Sequence, residues 1–353
     1  MDYSITGKSF VRLAGSTAVI AITGLLCLTW NSKSNPPEAV KVSVLADSVG
    51  MIVSVALDPQ SGTLYAILEG DRELHAYSSR LPTTNPWRRA AARTADVPKT
   101  SDEVRLPGAL AVDGAGNLYT VDHGGSYGDR GHSFIRKRGR DGAETVLPYV
   151  TGMVEHAHVK TPLLFQSLTS IAVDNSGNVF ASDANASTIY KISNGTTISK
   201  VAGPFGRNGS ISDITFIEGI AGDGRGGIVV ADNANAIYRI SAGGTTTLVA
   251  GKPEECGAVD GVGADARFCS PNAIAVSKKG IIFVFDADCS VRRIGLDGNV
   301  STVASSDQGR KPANVRIPAR HCPLLSIATG QEDELYVGGA IQSTQVSSWR
   351  AFQ

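Results

Sequence analysis

The sequence predicts an all-β fold, a six-bladed β-propeller whose ring is closed by its two chain ends. Three observations lead there. One unit recurs six times: an apolar strand, a turn with glycine, and a second strand ending at a polar corner. The residue that opens the turn of each unit falls at 58, 113, 174, 223, 277 and 330, giving intervals of 55, 61, 49, 54 and 53. Intervals near fifty with several short strands describe propeller blades rather than helical solenoid repeats. Glycine is also abundant, at 39 of 353 residues, above its usual share of roughly 7%. It lacks the three-residue period of collagen, and scattered glycine suits many tight turns.

The units follow in order. The four clearest are 110–122, 170–183, 220–232 and 274–286, flanked by the degenerate copies 55–65 and 327–337. Third strands are expected at 189–192, 237–240 and 291–294, and fourth strands at 198–202, 245–250 and 300–304. The last unit runs to Arg350 without a fourth strand. Val40-Lys-Val-Ser-Val-Leu-Ala46 precedes the first unit and is expected to supply it. Closure by residues 40–46 removes the open sheet edge of a linear array. On this expectation residues 1–34 are dispensable for folding and residues 1–48 are not.

The chain then divides into a short tail at 1–12, an apolar segment at 13–30, a linker at 31–39 and a propeller at 40–353. Leu13 to Trp30 carry no charge, follow Lys8 and Arg12, and precede a polar stretch. They read as a secretory signal peptide or a single membrane anchor. Either makes the propeller extracytoplasmic, secreted or tethered as a single-pass membrane protein. Four Asn-x-Ser/Thr sequons, at Asn185, Asn194, Asn208 and Asn299, are candidate glycosylation sites.

These residues resemble the NHL-repeat family of six-bladed propellers. The most specific stretch is Val249 to Asn272, where the family's inter-blade linker shows its Asp-Gly, Gly, Ala, aromatic and Pro positions. The resemblance covers residues 40–353 and implies a scaffold that hosts enzymes, sensors and adhesion modules alike. Turn glycines Gly62, Gly116, Gly177, Gly227 and Gly280 and corner aspartates Asp122, Asp183, Asp232 and Asp286 are expected to serve the architecture.

In a propeller, the linkers into each blade share a face with the corners joining second and third strands. Cys256, Cys269, Cys289 and Cys322 all map to that face, and the expected disulfides are Cys256–Cys269 and Cys289–Cys322. First strands line the channel, and aligning the units selects Val53, Gly108, Thr169, Glu218, Asn272 and Leu325 at its mouth. Thr169, Glu218 and Asn272 are therefore the binding candidates. Lactonase-like propellers hold a metal near this place, and oxygen donors of this kind suit Ca2+. A second candidate cluster is histidine: His123 and His132 in the corner of blade two, and His156 and His158 in the following linker.

Lys and Arg total 33, as do Asp and Glu, which argues against nucleic acid as the partner. The basic run Arg136–Arg140 falls on a third strand and its turn and reads as a solvated blade edge. No Ser-His-Asp, phosphate-loop or HExxH pattern occurs. The expected function is a non-enzymatic extracytoplasmic module that binds a protein or glycan on its loop face. The alternative is a metal-dependent lactonase- or esterase-like hydrolase using Glu218 and Asn272 around a divalent cation.

Overall fold

A computed structural model describes residues 24–30, 40–47, 52–68, 74–78, 106–123, 133–147, 165, 167–203, 217–306, 315–317, 324–330 and 335–339. They form an all-β propeller with a single 3-10 turn at Gly263–Asp265 among them. The strands sort into six sheets, four of them four-stranded. Sheet one holds Ile52–Leu57, Thr63–Leu68 and Leu74–Ser78. Sheet two holds Leu106–Val112, Leu118–His123, Ser133–Arg138 and Glu144–Val146. Sheet three holds Leu168–Val173, Val179–Asp183, Thr188–Ser193 and Thr197–Ala202, and sheet four Ile217–Gly222, Ile228–Asp232, Ala236–Ile240 and Thr246–Gly251. Sheet five is built on Pro271–Val276, Ile282–Asp286, Ser290–Ile294 and Asn299–Ser306, and sheet six on Leu324–Thr329 and Leu335–Gly339. First strands of consecutive sheets adjoin, and the circuit closes from sheet six back to sheet one.

The repeated turn after each first strand explains the repeat at the level of atoms. Asp113 and Asp174 each accept two backbone amides of their own turn through Oδ1, and their Oδ2 takes the amide side chain of Asn117 or Asn178. Asp223 accepts Arg225 and Gly227 in the same manner. A short carboxylate can thus satisfy turn amides that no ladder partner reaches. Gly227 differs from the other turn glycines. Positive φ falls on Gly224 and Gly226 instead, and Gly227 is required because a Cβ there would lie 2.5 Å from the Ile240 carbonyl oxygen.

The apolar core is divided into wedges between neighbouring sheets. Phe180 and Ile189 of sheet three pack with Ile220, Val230 and Tyr238 of sheet four. Val229 and Ile237 of sheet four pack with Ile274, Ile282 and Val284 of sheet five. Ile52, Val55 and Leu64 of sheet one pack with Ala328 and Tyr336 of sheet six. Each sheet is therefore stable only in company, which is the physical logic of a ring.

Sheet six corrects one expected boundary. Val40–Asp47 is its outermost strand, but Gly24–Trp30 lies between it and Leu335–Gly339. Residues 24–30, assigned from sequence to the apolar leader, are thus a strand of the ring. A short apolar run suits a strand as well as the end of a leader, and hydropathy alone does not separate the two. Residues 1–34 thus contain one strand of the ring. No helix among the described residues is long and apolar enough to cross a membrane.

Candidate functional site

The channel mouth is built from a defect repeated in every first strand. The pairing of first with second strand shifts register across Val53, Thr169, Glu218, Asn272 and Leu325, and across Gly108 and Ala109 in sheet two. Each shift is a β-bulge, which leaves a residue out of the ladder and re-aims its side chain. The six residues selected from sequence are the residues skipped by the bulges, or adjoin one. Five of them, Val53, Gly108, Thr169, Glu218 and Asn272, line a central cavity of about 110 Å3. That volume holds several waters or a small polar group.

The next residue of each first strand is small: Ser54, Ala109, Ser170, Gly219, Ala273 and Ser326. First strands meet here, and a Cβ on Gly219 would lie 2.7 Å from the Asn272 carbonyl oxygen. Two of the serines also join sheets. Ser170 Oγ accepts the Ile220 amide at 3.2 Å, and Ser326 Oγ accepts the Val55 amide at 2.9 Å across the closing seam.

Three polar side chains then face the mouth from sheets three, four and five. Glu218 is exposed, and its Oε1 accepts Asn233 Nδ2 at 3.2 Å. The hydroxyls of Thr169 and Ser182 lie 3.0 Å apart. Asn272 is half-buried, and its Oδ1 is fully covered without a hydrogen-bond partner. A covered carbonyl oxygen with no donor carries a desolvation cost, so this acceptor is poised for a donor or a cation. The set offers one charge and two neutral oxygens, fewer than the six to eight ligands that Ca2+ collects. Among the described residues no three His, Cys, Asp or Glu side chains converge as metal ligands.

Beside the mouth, the linker 252–270 between sheets four and five is fastened several times over. Cys256 and Cys269 form the expected disulfide, with Cα atoms 4.4 Å apart. Phe268 and Ala266 are fully buried in the wedge between the two sheets. Arg292, fully buried on the third strand of sheet five, donates to the carbonyls of Arg267 and Val259 and to Asp260 Oδ1 at 2.8–2.9 Å. Its guanidinium stacks 5.0 Å from the Phe268 ring centroid. Both Asp286 oxygens accept the Cys269 amide, and one lies 3.9 Å from Arg292. Burial, aided by the charge of Asp288, pushes the Asp286 carboxyl up to about 7 against the opposing pull of the Cys269 amide and Arg292.

The corner aspartates do not share one role. Asp183 and Asp232 accept backbone amides of the following turn, as expected. Asp183 also accepts the Ser167 amide of the preceding linker, Asp286 likewise reaches back to the Cys269 amide, and Asp122 pairs with Arg136 at 2.9 Å. The basic run is likewise engaged: Arg136 also meets Glu144, and Arg140 crosses to Asp58 at 2.7 Å. Burial would raise the Asp58 carboxyl, yet hydrogen bonds from Ser61 and Gln60 and the charge of Arg140 hold it below the ordinary range.

Asn185 and Asn194 are exposed, Asn194 on the turn between third and fourth strands, whereas Asn299 is half-buried and begins a strand. Cys289 is buried at the corner of sheet five, and its expected partner Cys322 lies outside the described residues, as do His132, His156, His158 and Asn208. His123 ends the second strand of sheet two, its backbone paired with Leu106 and Ser133.

Sequence reasoning missed Asn233, Ser182 and Arg292, which hold the candidate residues or the linker. One signal was available. Arg136, Tyr190, Tyr238 and Arg292 occupy one register position of four third strands, each opposite the residue two before a corner aspartate.

No protein-family model matches the chain, and no curated protein matches it. Solved structures do. A structural genomics protein of unknown function from Bacteroides thetaiotaomicron VPI-5482 is similar at 15% identity and TM-score 0.59, covering 95% of this chain and 76% of that one. An auxiliary nutrient binding protein from the same organism is similar at 14% identity and TM-score 0.56, covering 98% and 78%. A nidogen/laminin complex contains a chain similar at 16% identity and TM-score 0.53, covering 82% of this chain and 93% of that one. At these identities the likeness is one of fold, and the shared fold is the propeller.

Proposed function

We propose that the chain is a non-enzymatic extracytoplasmic binding module, an NHL-like propeller whose six sheets act as six blades. It takes a protein or glycan on the face that carries the corners and linkers. The observation that carries this reading is the linker 252–270, held by a disulfide, a buried arginine and a buried aromatic beside the polar channel mouth. A loop fixed before binding loses little conformational entropy when it binds, and such preorganisation favours recognition. The disulfide supports an oxidising compartment, and with it export. Exposed Asn185 and Asn194 are the sequons best placed to carry sugar.

A hydrolase is the second reading, and the partnerless Asn272 Oδ1 beside Glu218 favours it. In it, Glu218, Asn272 and Thr169 would hold a divalent cation such as Ca2+, which would polarise an ester or lactone carbonyl. Metal analysis of the purified protein, with lactone and ester assays on the parent and a Glu218→Gln variant, separates the two. The binding reading expects no stoichiometric metal and no turnover. Bound calcium with turnover abolished in the variant overturns it.

A further inference from the structure

The apolar run Leu13–Trp30 is eighteen residues long, near the roughly 20 that a helical bilayer span requires. Its last seven residues are engaged elsewhere. Gly24–Trp30 pairs along its length with Val40–Asp47 on one side, and Gly24–Leu28 pairs with Leu335–Gly339 on the other. Leu13–Thr23 remains, eleven residues. As a helix these would extend about 16 Å at 1.5 Å per residue, about half of a hydrocarbon core roughly 30 Å thick.

The two uses of the run therefore exclude each other, and withdrawal has a steep cost. Val40–Asp47 reaches sheet six only through Gly24–Trp30. Removing the inner strand detaches the outer one too and leaves two described strands, Leu324–Thr329 and Leu335–Gly339. An isolated two-stranded ribbon is at best marginally stable, and its free edge invites pairing with other chains.

We infer that residues 24–30 are retained in the mature protein as a ring strand, so that any maturation cut falls before Gly24 and no bilayer span includes these residues. The inference rests on backbone pairing alone and stands apart from the identity of the ligand. Its test uses the protein as its own cells make it: mass spectrometry of the N-terminal peptide, together with alkaline carbonate extraction of the membrane fraction. The expected result is a first residue at or before Gly24 and complete release by carbonate. A first residue beyond Gly24, or retention of the chain in carbonate-washed membranes, overturns it.

Discussion

Sheets five and six are neighbours in the ring, yet they are completed in opposite ways. Sheet five draws its four main strands from one stretch, Pro271 to Ser306, and its outer edge is covered at both ends by short strands of the flanking linkers, Gly261–Val262 and Val315–Ile317. Side chains then fasten the incoming linker to it. Sheet six is assembled from both ends of the chain by backbone pairing, and its seam to sheet one is closed by Ser326 and by Gly338, where a Cβ would lie 2.6 Å from Ile52 Cγ2. Sheet five is completed by strands and linkers close together in sequence, although its core is shared with sheet four. Sheet six depends on the rest of the ring having already formed, since its strands lie about 300 residues apart in sequence.

That contrast orders the expected effects. The largest belongs to sheet six: a chain starting at Asn31 loses two strands, and its stability falls by on the order of 5 kcal/mol or more, a large share of a domain's usual 5–15 kcal/mol. A chain starting at Gly24 keeps its thermal midpoint, so a pair of melting curves decides the matter. In sheet five, Arg292→Met strips Asp260 and the Arg267 and Val259 carbonyls of their donor and removes the cation beside buried Asp286, and the expected loss is about 3–5 kcal/mol in urea unfolding. The linker and sheet five would loosen first, which amide exchange would register. Removing the Cys256–Cys269 bridge opens a short loop and costs about 3 kcal/mol in the chain-entropy treatment. A variant with both cysteines changed to serine should still fold, because Arg292 and Phe268 continue to anchor the linker.

A further effect is a pH slope. The ordinary Asp pKa is about 3.9, and burial raises that of Asp286 to about 7. The folded state thus holds this proton more tightly than the unfolded chain. Its contribution to stability is full below about pH 4 and is lost as pH rises through about 7. Urea midpoints of the parent should drift downward over that window, and an Asp286→Asn variant should show a flatter profile. An unchanged slope would remove Asp286 from the account of sheet five.

Much of the architecture was legible because one local solution is repeated. The turn and the bulge recur in register, so aligning the units selects residues of which five line one cavity. Arg292 was harder to read. Alternation places it on the same side as Ile294, a core position, but a charge there looks like a misfit until Asp260 arrives from a distant linker and Asp286 from the end of the neighbouring strand. Asn233 and Ser182 were hidden because they reach Glu218 and Thr169 across the sheet, Asn233 from the turn after a second strand and Ser182 from a second strand itself. The segment 24–30 misled because hydropathy reports how apolar a run is, and neither a central strand nor a leader carries charge.

Hydrogen exchange of the full-length chain, followed at the amides of residues 24–30, tests ring closure most directly. The account predicts protection in Gly24–Trp30 equal to that in Leu335–Gly339, with both strands released in the same opening event. Full exchange of residues 24–30 within the dead time, while 335–339 stays protected, would contradict it.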